Sequence, residues 1–339
     1  MTNNLSDYKD LKILIIDNDS TNSNFVEQLL KNEGYQKIKS VLNVREAPQT
    51  YLDYNPDLVL LDLEIPHEHC LAIFEQLQAI NTKSILPTIL MMEADDTHCK
   101  CEALNLGIQH VIEKPINHNI LLATIRNMLR LTDSYNKTQS LLSSHMQKTE
   151  EKLIESLLLS IKLLGQETER HIQRVSEIVY ILAMGLNIDE ASARSYAKAS
   201  QLHDIGKTHI PAEILKKPTR LDVDEWTIMK QHTLLGEQIL NSFQGQTIHI
   251  ASIIARTHHE NWDGTGYPCR LSKNRIHIAG RLPAIADVFD ALLMKRPYKD
   301  AWKLETAIDY IKTESGKKFD PAIVNVFVNQ LEKIIALYN

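Results

Sequence analysis

The 339-residue sequence has no uninterrupted apolar run close to the ~18 residues needed to span a bilayer. Its first ten residues, MTNNLSDYKD, are polar and lack the apolar stretch of a signal peptide, so a cytoplasmic protein is expected. Basic residues are not in excess: 37 Lys and Arg stand against 43 Asp and Glu, for a net charge of -6. That balance excludes a general basic surface for gripping DNA or RNA. A small anionic substrate stays open, because a metal site can supply positive charge locally. Cysteine is scarce: Cys70, Cys99, Cys101 and Cys269 are all there is. They form no paired framework, a lone Cys-x-Cys is too little for a zinc site, and reduced thiols are expected. What the chain does have is histidine, 14 residues of it, and these cluster.

The length suits about two domains at ~100–200 residues each. The front of the chain alternates short apolar runs with helical patterns, the mark of a parallel sheet with crossover helices. Strands are expected at Leu11–Ile16, Ile38–Leu42, Asp57–Leu61, Thr88–Met92 and Gln109–Ile112, with a last helix from about Asn117. Five such units predict a flavodoxin-like, doubly wound α/β domain whose functional edge lies at the C-terminal ends of its strands. From Leu122 to Lys162 the pattern is helical, with neither Pro nor Gly until Gly165. One long helix pairing two protomers is the natural reading; the alternative is two ordinary helices with a polar turn at Thr132–Thr138. Beyond Gly165 helical periodicity continues, predicting an all-α bundle with an irregular loop near Asp263–Arg275. The division expected is residues 10–130 for the α/β domain, 131–162 for a helical linker and 163–339 for the bundle.

Metal-ligand residue types recur in the bundle. Glu167 and His171 stand at i and i+4, which on a helix share one face. His203-Asp204 precedes Ile205-Gly206-Lys207, and His232 sits in IMKQHTLLGEQIL. His258-His259-Glu260 leads into Asn261-Trp262-Asp263-Gly264-Thr265-Gly266-Tyr267-Pro268, and Asp287 lies in AGRLPAIADVFDALL. Each patch taken alone is uninformative, since a single His on an amphipathic helix usually marks a surface or core position. The set is another matter: imidazoles suit divalent transition metals, and a carboxylate can bridge two of them. Facing helices of a bundle are a natural place for such ligands to converge.

His203-Asp204 resembles the signature of the HD hydrolase superfamily, and HHENWDGTGYP is similar to the longer signature of the HD-GYP phosphodiesterases. The similarity extends from about Glu167 to Trp302 and takes in IADVFDAL and RPYK. It implies a metal-dependent phosphodiesterase that opens cyclic di-GMP to linear pGpG and onward to GMP. One metal would be held by His171, His203, Asp204 and Asp287, and a second by His232, His258 and His259, with Asp204 bridging. Glu167 matches a position that supports a third metal in some members. Two or three divalent ions, iron or manganese, are therefore expected. Lys207 matches the lysine that approaches the substrate phosphate, while Tyr267, Arg296 and Lys299 match dinucleotide contacts. The chemistry agrees, because a phosphodiester needs its nonbridging oxygens neutralised and a nucleophile in line with the leaving oxygen. Gly264 and Gly266 permit a tight loop close to ligand; the plainer reading makes it a structural turn plugged by Tyr267. A catalytically weak effector that binds the dinucleotide, and a hydrolase of a related cyclic dinucleotide, are the competing readings. One departure, Glu169-Arg170 where members often carry a Gly-acid pair, alters a helix surface and no ligand.

The front domain resembles a response-regulator receiver. Asp62 ends the third strand in PDLVLLDLEIP at the phosphoacceptor position, Asp17 ends the first, and Lys114-Pro115 follows the fifth. Such a site would hold Mg²⁺ and a phosphoryl group and meet a sensor kinase or another signalling partner. Its departures are substantial. The acid expected after Asp17 is Asn18, the hydroxyl expected after the fourth strand is Met92 or Glu93, and Cys70 replaces a usual glycine. Asp19 would restore the lost charge, but alternation along a continued strand points it elsewhere. The domain is thus read either as a degenerate receiver for dimerisation and docking, or as a weak acceptor at Asp62.

Overall fold

The computed structural model describes residues 8–62, 67–82, 85–94, 97–164, 168–294 and 301–338. The chain divides into two compact units, Met1–Leu142 and Ser143–Asn339. In the first, β1 (Ile13–Asp17), β2 (Ile38–Val41), β3 (Leu58–Asp62), β4 (Thr88–Glu93) and β5 (His110–Lys114) form one sheet in the order β2-β1-β3-β4-β5. Every pairing is parallel. The crossovers carry α1 (Ser20–Asn32), α2 (Ala47–Tyr54), α3 (His67–Ile80) and α4 (Thr97–Leu106). Strands β1 and β3 are buried at every residue, as a sheet covered on both faces requires. Alternate side chains serve opposite layers: Leu14, Ile16, Val59 and Leu61 enter one core, and Ile13, Ile15, Leu58 and Leu60 the other. The observed strands lie within two residues of those expected. Register sets Asp17 beside Asp62, and Glu93 beside Lys114, at the C-terminal edge.

A single helix, α5 (His118–Leu164), runs for 47 residues, so the two-helix alternative with a turn at Thr132–Thr138 is wrong. The reason is local. Hydroxyls that would favour a turn bond back one helical turn instead, Thr132 to Met128 and Thr138 to Ser134, and no Pro or Gly interrupts the run. Leu121, Ile125 and Leu129 are buried near its start, Ile154 and Ile161 near its end, and residues 136–149 are exposed.

The second unit continues with α6 (Glu169–Gly185), α7 (Glu190–Ser200), α8 (Ala212–Leu215), α9 (Val223–Lys230), α10 (His232–Leu240) and α11 (Gln246–Thr257). It ends with α12 (Ile278–Leu293), α13 (Leu304–Thr313), α14 (Pro321–Asn329) and α15 (Leu331–Ala336). Among its described residues there is no strand, only an isolated bridge between Ser315 and Phe319. Two apolar clusters hold it together. Val175, Val179, Ile285, Phe289, Ile311 and Phe327 form one; Ile161, Ile172, Leu202, Ile205, Leu240 and Ile254 form the other. Each fully buried side chain of this size contributes ~1.5–3 kcal/mol relative to exposure. No helix of the described residues is long and apolar enough to cross a membrane.

Candidate metal centre

Four elements of the bundle present histidine, and a fifth an aspartate, toward a common point. His171 lies in the first turn of α6, whose start is set by Thr168 accepting from the His171 amide. His203 and Asp204 occupy the turn after α7, His232 opens α10, and His258 and His259 follow the last turn of α11. Asp287 stands in α12. Four of the rings are anchored through Nδ1: His203 on the Ser200 carbonyl at 2.8 Å, His232 on Met229 at 2.7 Å and His258 on Ile254 at 3.0 Å. A carbonyl only accepts, so these Nδ1 atoms carry the proton and leave the Nε2 lone pair to face the centre. The fourth, His171, places Nδ1 2.7 Å from a carboxylate oxygen of Asp290.

The inward atoms gather in two groups, each within 4.8 Å: Asp204, His232, His258 and His259 in one, and His171, His203 and Asp287 in the other. Asp204 reaches toward both. Its Oδ1 is 3.2 Å from His232 Nε2 and 3.7 Å from His258 Nε2, while its Oδ2 is 3.2 Å from His203 Nε2. His171 Nε2 lies 3.6 Å from Asp287 Oδ1. Lys207, in the short 3-10 turn after Asp204, pairs its ammonium with Asp204 Oδ2 at the edge of the cluster. Gly206 makes this packing feasible, since a Cβ there would stand 1.9 Å from the His232 carbonyl oxygen.

Burial keeps two of the rings, His232 and His259, neutral. It pushes His232 down to about 4, against the pull of Asp204, and holds His259 well below the ordinary imidazole range with help from the neighbouring His258 and His232. Neutral imidazoles with fixed tautomers, grouped around a carboxylate, fit divalent transition ions.

The HHENWDGTGYP loop is folded back onto its own start. The Tyr267 amide donates to the His259 carbonyl, and Gly266 is required because a Cβ would meet the Asn261 amide nitrogen at 2.2 Å. The Tyr267 ring lies 4.8 Å from that of His259 and contacts Trp226 edge-on. Tyr267 is thus both a plug of the loop and a wall of the site. Glu167, Arg296 and Lys299 lie outside the described residues.

The sequence named Glu260 only within its motif and pointed to neither Asp290 nor Arg174. Buried Glu260 accepts from the amides of Cys269 and Leu271 at 2.7 and 3.0 Å, clasping the loop. Asp290, also buried, receives His171, and Arg174 Nη2 at 3.1 Å. Burial alone would raise its pKa, but these donors outweigh that and hold it below the carboxylate range. An available signal was the spacing: Asp290 follows Asp287 by one turn of an apolar helix, and Arg174 follows His171 likewise.

At the receiver edge Asp17, Asp62 and Lys114 converge, with Lys114 Nζ 2.9 Å from Asp62 Oδ1. Asn22 donates to both carboxylates, at 2.6 Å to Asp62 Oδ2 and 3.1 Å to Asp17 Oδ2. Burial, opposed by the Asp19 amide and reinforced by Asp62, raises Asp17 to about 6. Strand β1 stops at Asp17, and Asp19 becomes the cap of α1, accepting from the Thr21 amide. Its charge is therefore spent on the helix start. With an amide between the carboxylates and Asn18 in place of an acid, the residues fit Mg²⁺ poorly. Met92 is buried and Glu93 exposed, so β4 ends without a hydroxyl.

A parallel β2-β1-β3-β4-β5 sheet with an aspartate-lysine edge, followed by an all-α unit built around a histidine-aspartate cluster, defines a receiver-coupled HD-domain protein. Comparison with known families agrees: a response regulator receiver domain matches residues 13–126 and an HD domain residues 135–323. The chain belongs to the receiver-coupled HD-domain family of the HD-GYP type. It is 33% identical to the cyclic di-GMP phosphodiesterase response regulator RpfG of Xanthomonas campestris, over 84% of this chain and 78% of that one. It is 31% identical to a cyclic di-GMP phosphodiesterase of Thermotoga maritima, over 97% and 92% of the two chains. A 3'3'-cGAMP-specific phosphodiesterase of Vibrio cholerae is 41% identical over 57% of this chain and 37% of its own.

Proposed function

We propose that the chain hydrolyses a phosphodiester bond of cyclic di-GMP, giving linear pGpG and then GMP, under control of its receiver. The observation that carries this is Asp204, whose two oxygens face the two histidine groups with Lys207 alongside. Asp204 holds the groups at one separation and Lys207 meets the negative charge of the phosphate. Divalent ions, when bound, supply Lewis acidity that polarises the phosphate and activates water. We assign one ion to His171, His203, Asp204 and Asp287, and another to Asp204, His232, His258 and His259. Iron and manganese both suit imidazole-carboxylate donors, and Glu167 is the candidate for a third ion. The buried, neutral His232 and His259 lose little proton competition at neutral pH. Tyr267 borders the substrate, and Arg296 and Lys299 are assigned to the dinucleotide from motif position alone. We place the protein in the cytoplasm, with a sensor kinase or another signalling protein meeting the receiver. Two copies would pair along α5, where Leu131, Leu142 and Met146 are exposed.

A second reading, a related cyclic dinucleotide such as 3'3'-cGAMP, is favoured by the Vibrio cholerae relative. The test is to purify the chain anaerobically, load it with Fe²⁺ or Mn²⁺, and follow cyclic di-GMP and 3'3'-cGAMP by chromatography. Conversion of cyclic di-GMP at least as fast as 3'3'-cGAMP supports the first reading, and the reverse order the second. Ligand binding without product under either metal would establish an effector.

A further inference from the structure

Asp290 has four hydrogen-bond donors. Oδ2 faces His171 Nδ1 at 2.7 Å and Arg174 Nη2 at 3.1 Å; Oδ1 faces Arg174 Nε at 2.5 Å and the Tyr338 hydroxyl at 2.9 Å. A carboxylate offers about four lone-pair sites, so this one is saturated. Asp290 has 0% exposure, and the fourth donor comes from beyond the last helix, 48 residues away in sequence. Tyr338 does more than donate. Its ring lies under the Arg174 guanidinium, 5.1 Å from ring centroid to Cζ, and meets Phe289 edge-on at 5.9 Å. One side chain therefore fixes both ends of the Arg174–Asp290 pair.

We infer that Tyr338 is a positioning residue for the metal site of His171. The inference rests on the metal-dependent reading above. Asp290 sets the tautomer and the aim of His171 by taking its Nδ1 proton as a hydrogen bond. Tyr338 and Arg174 in turn fix the carboxylate plane. Without the Tyr338 hydroxyl, Oδ1 keeps a single donor, the carboxylate can rotate, and His171 Nε2 loses its fixed direction toward His203 and Asp287. Hydrogen-bond partners behind a metal ligand affect affinity by about 10–100-fold when removed. Tyr338 stands one step further out, so the lower end, about 10-fold, is expected.

The test compares the full-length chain with Tyr338→Phe, which keeps the ring and its stacking and removes only the hydroxyl. Tyr338→Ala removes both. Mn²⁺ uptake is measured by equilibrium dialysis with metal analysis, and folding by the unfolding midpoint of the metal-free proteins. Tyr338→Phe should weaken one class of Mn²⁺ site about 10-fold, leave another unchanged, and retain the wild-type midpoint within a few degrees. Tyr338→Ala should weaken the same class further. Wild-type affinity in Tyr338→Phe overturns the inference, as does equal weakening of every site. Uptake of Mn²⁺ with this pattern but no hydrolysis sinks the phosphodiesterase reading alone, whereas a wild-type chain that takes no Mn²⁺ overturns both.

Discussion

Asp204 Oδ1 lies 3.2 Å from His232 Nε2, although the two stand 28 positions apart in the chain with α8 and α9 between them. The opposite oxygen of the same carboxylate lies 3.2 Å from His203 Nε2. One carboxylate thus faces both histidine groups. Asp204→Ala should therefore lower kcat by roughly 10³-fold or more, since it removes a group on which the site acts as a unit. Metal content, measured on the same samples, should fall by at least one ion per chain. A variant with full metal and a tenth of wild-type turnover would show that Asp204 does not join the two groups.

Lys207 is a different kind of participant. Its ammonium pairs with Asp204 but is itself no metal donor. Lys207→Ala should reduce kcat by about 10²–10³-fold, the usual loss when one charge-stabilising donor is removed, with metal per chain unchanged. Should the metals leave with the lysine, it holds the cluster together and does not serve the phosphate.

Gly206 is packed against backbone. A Cβ at this position would stand 1.9 Å from the His232 carbonyl oxygen and 2.5 Å from the Gly236 nitrogen, neither of which can swing aside. Gly206→Ala should cost about 1–3 kcal/mol by forcing the HD turn off α10. All three tryptophans, Trp226, Trp262 and Trp302, lie in the second unit, so tryptophan fluorescence in a urea titration reports on it. An unchanged midpoint would contradict the packing of the turn on α10.

Asp17 makes the receiver sensitive to pH. Burial, with the nearby Asp62 charge, moves its carboxyl from 3.8 to about 6. Between those values the folded state binds more proton than the unfolded one, so this group's contribution to stability falls as pH rises and is fully lost above about 6. Asp17→Asn removes the buried charge. It should raise the receiver's melting midpoint at pH 8 and change it little at pH 5, where wild-type Asp17 is already mostly protonated. Calorimetry at the two pH values checks this; equal gains at both would mean that the charge costs nothing.

Much of this protein was legible along the chain. Period-2 and period-3.6 patterns depend on neighbouring residues, so the five strands, the helical second half and the end-of-strand positions of Asp17, Asp62 and Lys114 could be read directly. The histidine motifs were legible too, because metal donors are few in kind and their order in the chain is distinctive. The choice between one helix and two at Thr132–Thr138 was not, since a hydroxyl turns or continues a helix according to which carbonyl it finds.

Tertiary structure alone decided which side chains became partners. Asp19 and Asn22 carry similar polar groups, yet one became a helix cap and the other a bridge between Asp17 and Asp62, once β1 ended and α1 turned across the sheet edge. Asp290 and Asp287 sit one turn apart in the same helix, but only Asp290 is sealed from water by Arg174 and Tyr338. A residue's type states what it can donate or accept. Its partner is set by long-range packing, which brings residues as distant as His171 and Asp290, 119 positions apart, within a hydrogen bond's reach.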